Sequence, residues 1–115
     1  MSDDLSVSVT QVGPSVCLCS ATGSIDARTA PEIQEAALPV LQGGGKVALD
    51  LSGITYTSSA GLRMLLLLHR HAQASGGTIV LAGLRPEVAE VMEATGFLGS
   101  FTCAPTAEAA VELLV

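Results

Sequence analysis

The stretch from Lys46 to Gln73 limits most strongly what this chain can fold into. Val47, Ala48 and Leu49 form a short, continuous apolar run, which predicts a strand covered on both faces. A polar break follows from Asp50 to Ser59. Then Leu62 to Ala74 is leucine-rich on several faces and long enough only for a largely buried helix. Strand, small-residue turn and helix N-terminus therefore meet at Ser58-Ser59-Ala60-Gly61. A helix N-terminus carries unpaired N–H groups and partial positive charge, so a phosphoryl group is tolerated or stabilised there.

The remainder of the chain alternates in the same way. Leu5, Val7 and Val9 alternate with Ser6, Ser8 and Thr10, the period of a half-exposed strand. Gly13-Pro14 is a turn, and Val16 to Thr22 returns as a second strand, giving a leading hairpin. Thr29 and Glu32 have capping-box spacing ahead of a helix through Ile33, Ala36, Ala37 and Val40, whose last turn Pro39 should disturb. Gly43-Gly44-Gly45 is a turn and no phosphate loop, because no Gly-Lys-Ser/Thr follows it. Gly76-Gly77 ends the leucine-rich helix, and Thr78 to Ala82 is another central strand. Pro86 opens a third helix with Val88, Val91 and Met92 inward and Glu87, Glu90 and Glu93 outward, closed by Gly96. Phe97 and Leu98 pack the turn, Phe101 to Cys103 is a short edge strand, and Thr106 caps a terminal helix with Val111 and Leu114 inward. Strands separated by single helices favour parallel pairing. The expected fold is α/β: one domain over residues 1–115, a mixed sheet of four to five strands with a leading β-hairpin, and about four helices.

Bulk properties exclude several functions. Five basic residues against 11 acidic ones give a net charge of −6. Phosphate contacts need clustered Lys and Arg, so wholesale binding of nucleic acid or an anionic membrane is disfavoured and a basic protein partner fits better. No apolar run reaches the ~18 residues of a membrane span. The start, Met1-Ser2-Asp3-Asp4, has no signal-peptide pattern, which implies the cytoplasm. Cys17, Cys19 and Cys103 form no Cys-x-x-Cys pair, so they are expected to be buried thiols and not a disulfide framework or zinc site. His69 and His71 are two apart on a helix and face different ways, which a metal pair would not. With no Ser/His/Asp set, no paired catalytic carboxylates and no cofactor fingerprint, the chain reads as no enzyme and as needing no cofactor.

The run Asp50-Leu51-Ser52-Gly53-Ile54-Thr55-Tyr56-Thr57-Ser58-Ser59-Ala60-Gly61-Leu62-Arg63-Met64-Leu65 resembles the signature of the STAS domain, of the bacterial anti-sigma factor antagonist type. The family pattern is an Asp-Leu-Ser strand end, an aromatic residue, a Ser-rich turn, and Gly-Leu opening a helix. The resemblance implies the STAS fold and a regulatory, cytoplasmic phosphoprotein. Such a protein binds an anti-sigma factor serine kinase and so releases a sigma factor. Phosphorylation switches it off and a cognate serine phosphatase resets it. The family's phosphorylated serine lies two residues before the Gly-Leu, which is Ser59 here. Ser58 stands where the family often has aspartate and is a second candidate acceptor. The family's Gly-x-x-Asp loop matches Gly23-Ser24-Ile25-Asp26, which places Asp26 beside the site. Thr57, Ser58, Gly61, Leu62 and Arg63 would border the partner surface.

Each of these residues also has a plainer reading. Ser58 or Ser59 caps a helix. Asp26 makes an Asx-type turn, and Asp50 bonds the loop at Ser52 and Gly53. Tyr56 packs its ring beneath the loop. Two other function classes stand beside this one: an accessory subunit of a lipid or anion transporter, which keeps the fold but has no phospho-switch, and an enzyme of flavodoxin-like type, which the missing phosphate cradle disfavours.

Overall fold

A computed structural model describes residues 5–115; the acidic start, Met1–Asp4, lies outside the described residues. The elements run β1 (Ser6–Gly13), β2 (Val16–Ile25), α1 (Ala30–Gln42), β3 (Lys46–Thr57), α2 (Ser59–Ser75), β4 (Thr78–Ala82), α3 (Pro86–Ala94), β5 (Thr102–Ala104) and α4 (Ala107–Leu114). A short 3₁₀ turn, Leu98–Ser100, precedes β5. The five strands form one sheet in the order β1-β2-β3-β4-β5. The β1–β2 hairpin is antiparallel and the other pairs are parallel, so the sheet is mixed as expected.

Val47, Ala48 and Leu49 are 0% exposed, and the two faces of β3 enter different cores. Val47, Leu49, Leu51 and Ile54 pack with Ile33 and Leu41 of α1, Leu65 and Leu68 of α2, and Val88 and Met92 of α3. Ala48 packs on the other face with Val16, Val80 and α4's Ala110 and Leu114. Three helices thus cover one face and α4 covers the other. Lys46 helps anchor α4, because its Nζ donates to the Leu114 carbonyl at 3.1 Å.

Several boundaries and faces differ from the sequence expectation, each for a physical reason. The polar run after Leu49 is not a break: β3 continues to Thr57 and β2 to Ile25. β4 accompanies β3 only as far as Asp50, so the second half of β3 is held by β2 alone. Extra residues on β3 shift the register between Ser20 and Thr22 and again between Gly23 and Ser24. Such bulges re-aim side chains. The second leaves Thr55 and Tyr56 both outward, so Tyr56 is 56% exposed and does not pack beneath the loop. Gly53 is required beside the first shift, since a Cβ there would lie 2.7 Å from the Thr22 hydroxyl. Val91 is 41% exposed, because Val88 and Met92 fill α3's inward stripe. Cys19 is buried, Cys17 half-buried, and Cys103 exposed because β5 is an edge strand. Burial, reinforced by neighbouring Cys17, pushes the Cys19 thiol up to about 11, which keeps it protonated and inert.

These differences generate a stability prediction. Leu49→Ala should cost about 2–5 kcal/mol, a large share of the ~5–15 kcal/mol of a typical domain. Val91→Ala should stay within about 0.5 kcal/mol, as exposed sites do. Urea unfolding of both variants checks this, and equal losses would contradict the assignment of α3's inner face.

Candidate functional site

The site forms where the β2–β3 ribbon ends. Ile25 is the last residue of β2 and Thr57 the last of β3, and the two are register partners. The ladder continues one step further, since the Ser58 N–H donates to the Ile25 carbonyl at 2.8 Å. That bond holds the Ser58-Ser59 turn against the loop that begins at Asp26. Asp26 and Ser59 are each one residue beyond the bonded pair, so their Cα atoms lie well inside the ~15 Å that would separate them into two sites.

Ser58 is the N-cap of α2. It has extended backbone, and its Oγ accepts the Gly61 N–H at 3.3 Å. Ser59 is the first helical residue and is exposed. Among the described residues no hydrogen bond engages its hydroxyl. The two candidate serines therefore have different roles, which spacing did not reveal: Ser58 starts the helix, and Ser59 stands free at its positive end. The helix begins at Ser59 and not at Leu62, because the cap supplies the acceptor that its first turn needs.

Asp26 builds its own loop. Its Oδ1 accepts from the Arg28 N–H at 2.9 Å and the Thr29 N–H at 3.1 Å, an Asx-type turn into α1. The expected Thr29–Glu32 capping box does not form. Thr29 makes no side-chain cap bond; its hydroxyl donates to the Ser24 carbonyl at 2.8 Å and accepts the Asp26 N–H at 2.9 Å. Asp26 supplies the acceptor in its place. Partial desolvation raises the Asp26 carboxyl, but the Thr29 and Arg28 N–H donors and the Arg28 charge, at 3.9 Å from Oδ2, outweigh it and hold the group below the ordinary carboxylate value. Asp50 follows its plainer reading, with Oδ1 accepting the Ser52 N–H at 3.0 Å.

The expected partner surface divides in two. Asp26 and Ser58 are half-buried and Arg63 is exposed, so these three border solvent around Ser59. Thr57, Gly61 and Leu62 are buried and support that surface from below. Gly61 packs so closely that an added Cβ would overlap the Thr57 hydroxyl and lie 2.7 Å from Cγ2 of Ile25. Beside the site, α1 and α2 leave an open groove of about 600 Å³ reaching Arg63 and Arg70, a feature carried by tertiary packing and invisible in the sequence. Among the described residues no group of three or more His, Cys, Asp or Glu could hold a metal, and no helix is long and apolar enough to cross a membrane.

Two tests follow from this geometry. Gly61→Ala should destabilise by about 1–3 kcal/mol through overpacking, even though alanine favours helix; a thermal melt unchanged from wild type would show that the crowding is absent. For Asp26 the folded value lies below the unfolded one. Its contribution is therefore present above the ordinary value of 3.8 and is lost as pH falls through the lower folded value. Wild type should exceed Asp26→Asn in stability above that range and converge with it in stronger acid. A carboxyl titration by NMR with its midpoint at or above 3.8 would contradict this.

Comparison with known proteins agrees with this architecture. The STAS domain family matches residues 8–110. BtrV of Bordetella bronchiseptica, a candidate anti-sigma factor antagonist, is 40% identical over 89 residues, covering 76% of this chain and 77% of that protein. An anti-sigma factor antagonist from Mycobacterium paratuberculosis superposes with a TM-score of 0.78 at 25% identity, covering 97% of this chain and 95% of that one. A candidate antagonist from Thermotoga maritima reaches a TM-score of 0.82 at 18% identity, covering 94% and 93% of the two chains, and shares the fold. The chain belongs to the STAS domain family, among the anti-sigma factor antagonists.

Proposed function

We propose that this chain is a phosphorylation-switched antagonist. Unphosphorylated, it binds an anti-sigma factor serine kinase and so releases a sigma factor; phosphorylation of Ser59 by that kinase ends the interaction, and a serine phosphatase restores it. The observation that carries this reading is the division of labour between the two serines. Ser58 is engaged as the N-cap of α2, whereas Ser59 is exposed at the first helical position on a buried scaffold. An acceptor hydroxyl must be both reachable and held in place, and Ser59 is both.

The physics of the switch is local. A phosphoserine carries about −1.5 to −2 charges near neutral pH and a tightly held hydration shell. At the N-terminus of α2 the helix dipole offsets part of that charge, by about 0.3–1 kcal/mol, so the fold survives modification. At a partner interface the same group must be desolvated, and it adds repulsion beside Asp26. Asp26 serves as a positioning residue that shapes the loop facing the acceptor. The proposed chemistry belongs to the kinase. This chain contributes the hydroxyl, its orientation and the docking surface, and acts as a regulatory binding protein and no enzyme.

Incubation with its kinase and ATP, followed by mass spectrometry, tests the reading. Wild type should gain one phosphate, Ser59→Ala none, and Ser58→Ala should still be labelled. Stability should follow the opposite order. Ser58→Ala loses the cap at about 1 kcal/mol, while Ser59→Ala stays within about 0.5 kcal/mol. Label retained in Ser59→Ala but lost in Ser58→Ala would move the acceptor to Ser58. An unlabelled wild type would remove the switch and favour a transporter-accessory role for the same fold.

A further inference from the structure

The groove between α1 and α2 is apolar along its floor and cationic along one wall. Ala30 and Pro31 of α1 face Met64 and Leu67 of α2 across it, and Arg63 and Arg70 flank it. No carboxylate lines it; Glu35 of α1 lies in the adjoining hollow. Throughout its length α2 carries no acidic residue, in a chain whose net charge is −6. Among the described residues neither Arg63 nor Arg70 forms an ion pair, and both are exposed. Arg63 and Arg70 are seven positions apart, two helical turns, and so project from one side of α2 about 10.5 Å apart along its axis.

We infer that this groove docks an acidic amphipathic helix of the anti-sigma factor, with an apolar stripe on the Ala30–Leu67 floor and carboxylates two turns apart on Arg63 and Arg70. The inference rests on the proposed function for the identity of the partner. It reverses the expectation of a basic partner drawn from net charge, because the α2 wall of the groove carries two arginines and no carboxylate although the whole chain is negative. An apolar strip between two helices, flanked by cations, suits an amphipathic helix laid lengthwise, and guanidinium groups two turns apart set its register. The groove is continuous with the acceptor site, since Ala60 and Arg63 belong to both.

The arrangement also explains how one phosphate could be felt along the groove. Ser59 and Arg63 are four apart on α2 and share a face. A phosphate on Ser59 would pair with Arg63 and repel the incoming carboxylate, removing one of the two cations that the partner reads.

The probe is the host's anti-sigma factor that binds the wild-type chain, titrated by calorimetry at low and physiological salt. Arg63→Glu/Arg70→Glu should raise Kd at least tenfold, Arg63→Lys/Arg70→Lys should stay within about threefold of wild type, and the wild-type affinity should fall with salt. Lysine substitutions in the partner's acidic helix should recover binding to the double-glutamate variant. Unchanged affinity in that variant, with a wild-type melting curve, overturns the groove assignment while leaving Ser59 labelling, and hence the switch, untouched. Loss of labelling with normal groove-dependent binding would instead overturn the switch alone. If sedimentation shows that wild type self-associates and the double-glutamate variant does not, a second copy occupies the groove and the inference fails.

Discussion

The hydrogen bond from the Ser58 N–H to the Ile25 carbonyl is the constraint on which the rest of the site depends. It extends the β2–β3 pairing one step past both strands and so joins two loops that lie more than thirty positions apart in the sequence. Everything upstream serves to deliver those two ends. Val47 to Leu49 is buried on both faces, which fixes the register of β3, while Leu51 and Ile54 keep its second half on the core. The ribbon beyond Asp50 has β2 as its one strand neighbour, and without that anchoring its register would be weakly specified.

Close packing converts this register into a rigid corner. Gly61 lies directly over Thr57 and Ile25, where no side chain fits, so α2 starts at a fixed height above the ribbon. Ser58 supplies the cap and Asp26 the Asx-type turn on the opposite side. Two short polar side chains thus organise two helix starts, and one hydroxyl, that of Ser59, is left outward. The arrangement suits a switch because a charge can be added there without disturbing buried contacts.

Charge is segregated and not averaged. α3 carries Glu87, Glu90 and Glu93, whereas α2 carries Arg63 and Arg70 with no carboxylate. A partner meets the local field within about 8–10 Å at ordinary ionic strength, so the sign of the whole chain says little about what docks on one face.

The sequence by itself determined the α/β class, the leading hairpin, the central apolar strand and the position of the serine-rich turn. Their signals are local: period-two alternation in Leu5–Thr10, an unbroken apolar run at Val47–Leu49, Thr106 as the α4 cap and Pro86 opening α3. Tertiary structure alone decided four further points. It carried β3 through the polar run Asp50–Thr57, because long-range pairing with β2 outweighs local polarity there. It turned Tyr56 outward through a bulge, whose position depends on the partner strand. It assigned capping to Ser58 and left Ser59 free, a difference of one residue that only the path of the backbone can make. And it brought α1 beside α2, forming a groove from residues whose sequence separation hides their contact. Local propensity and periodicity act within a few residues, whereas register, side-chain direction and surface charge arise only when distant segments pack.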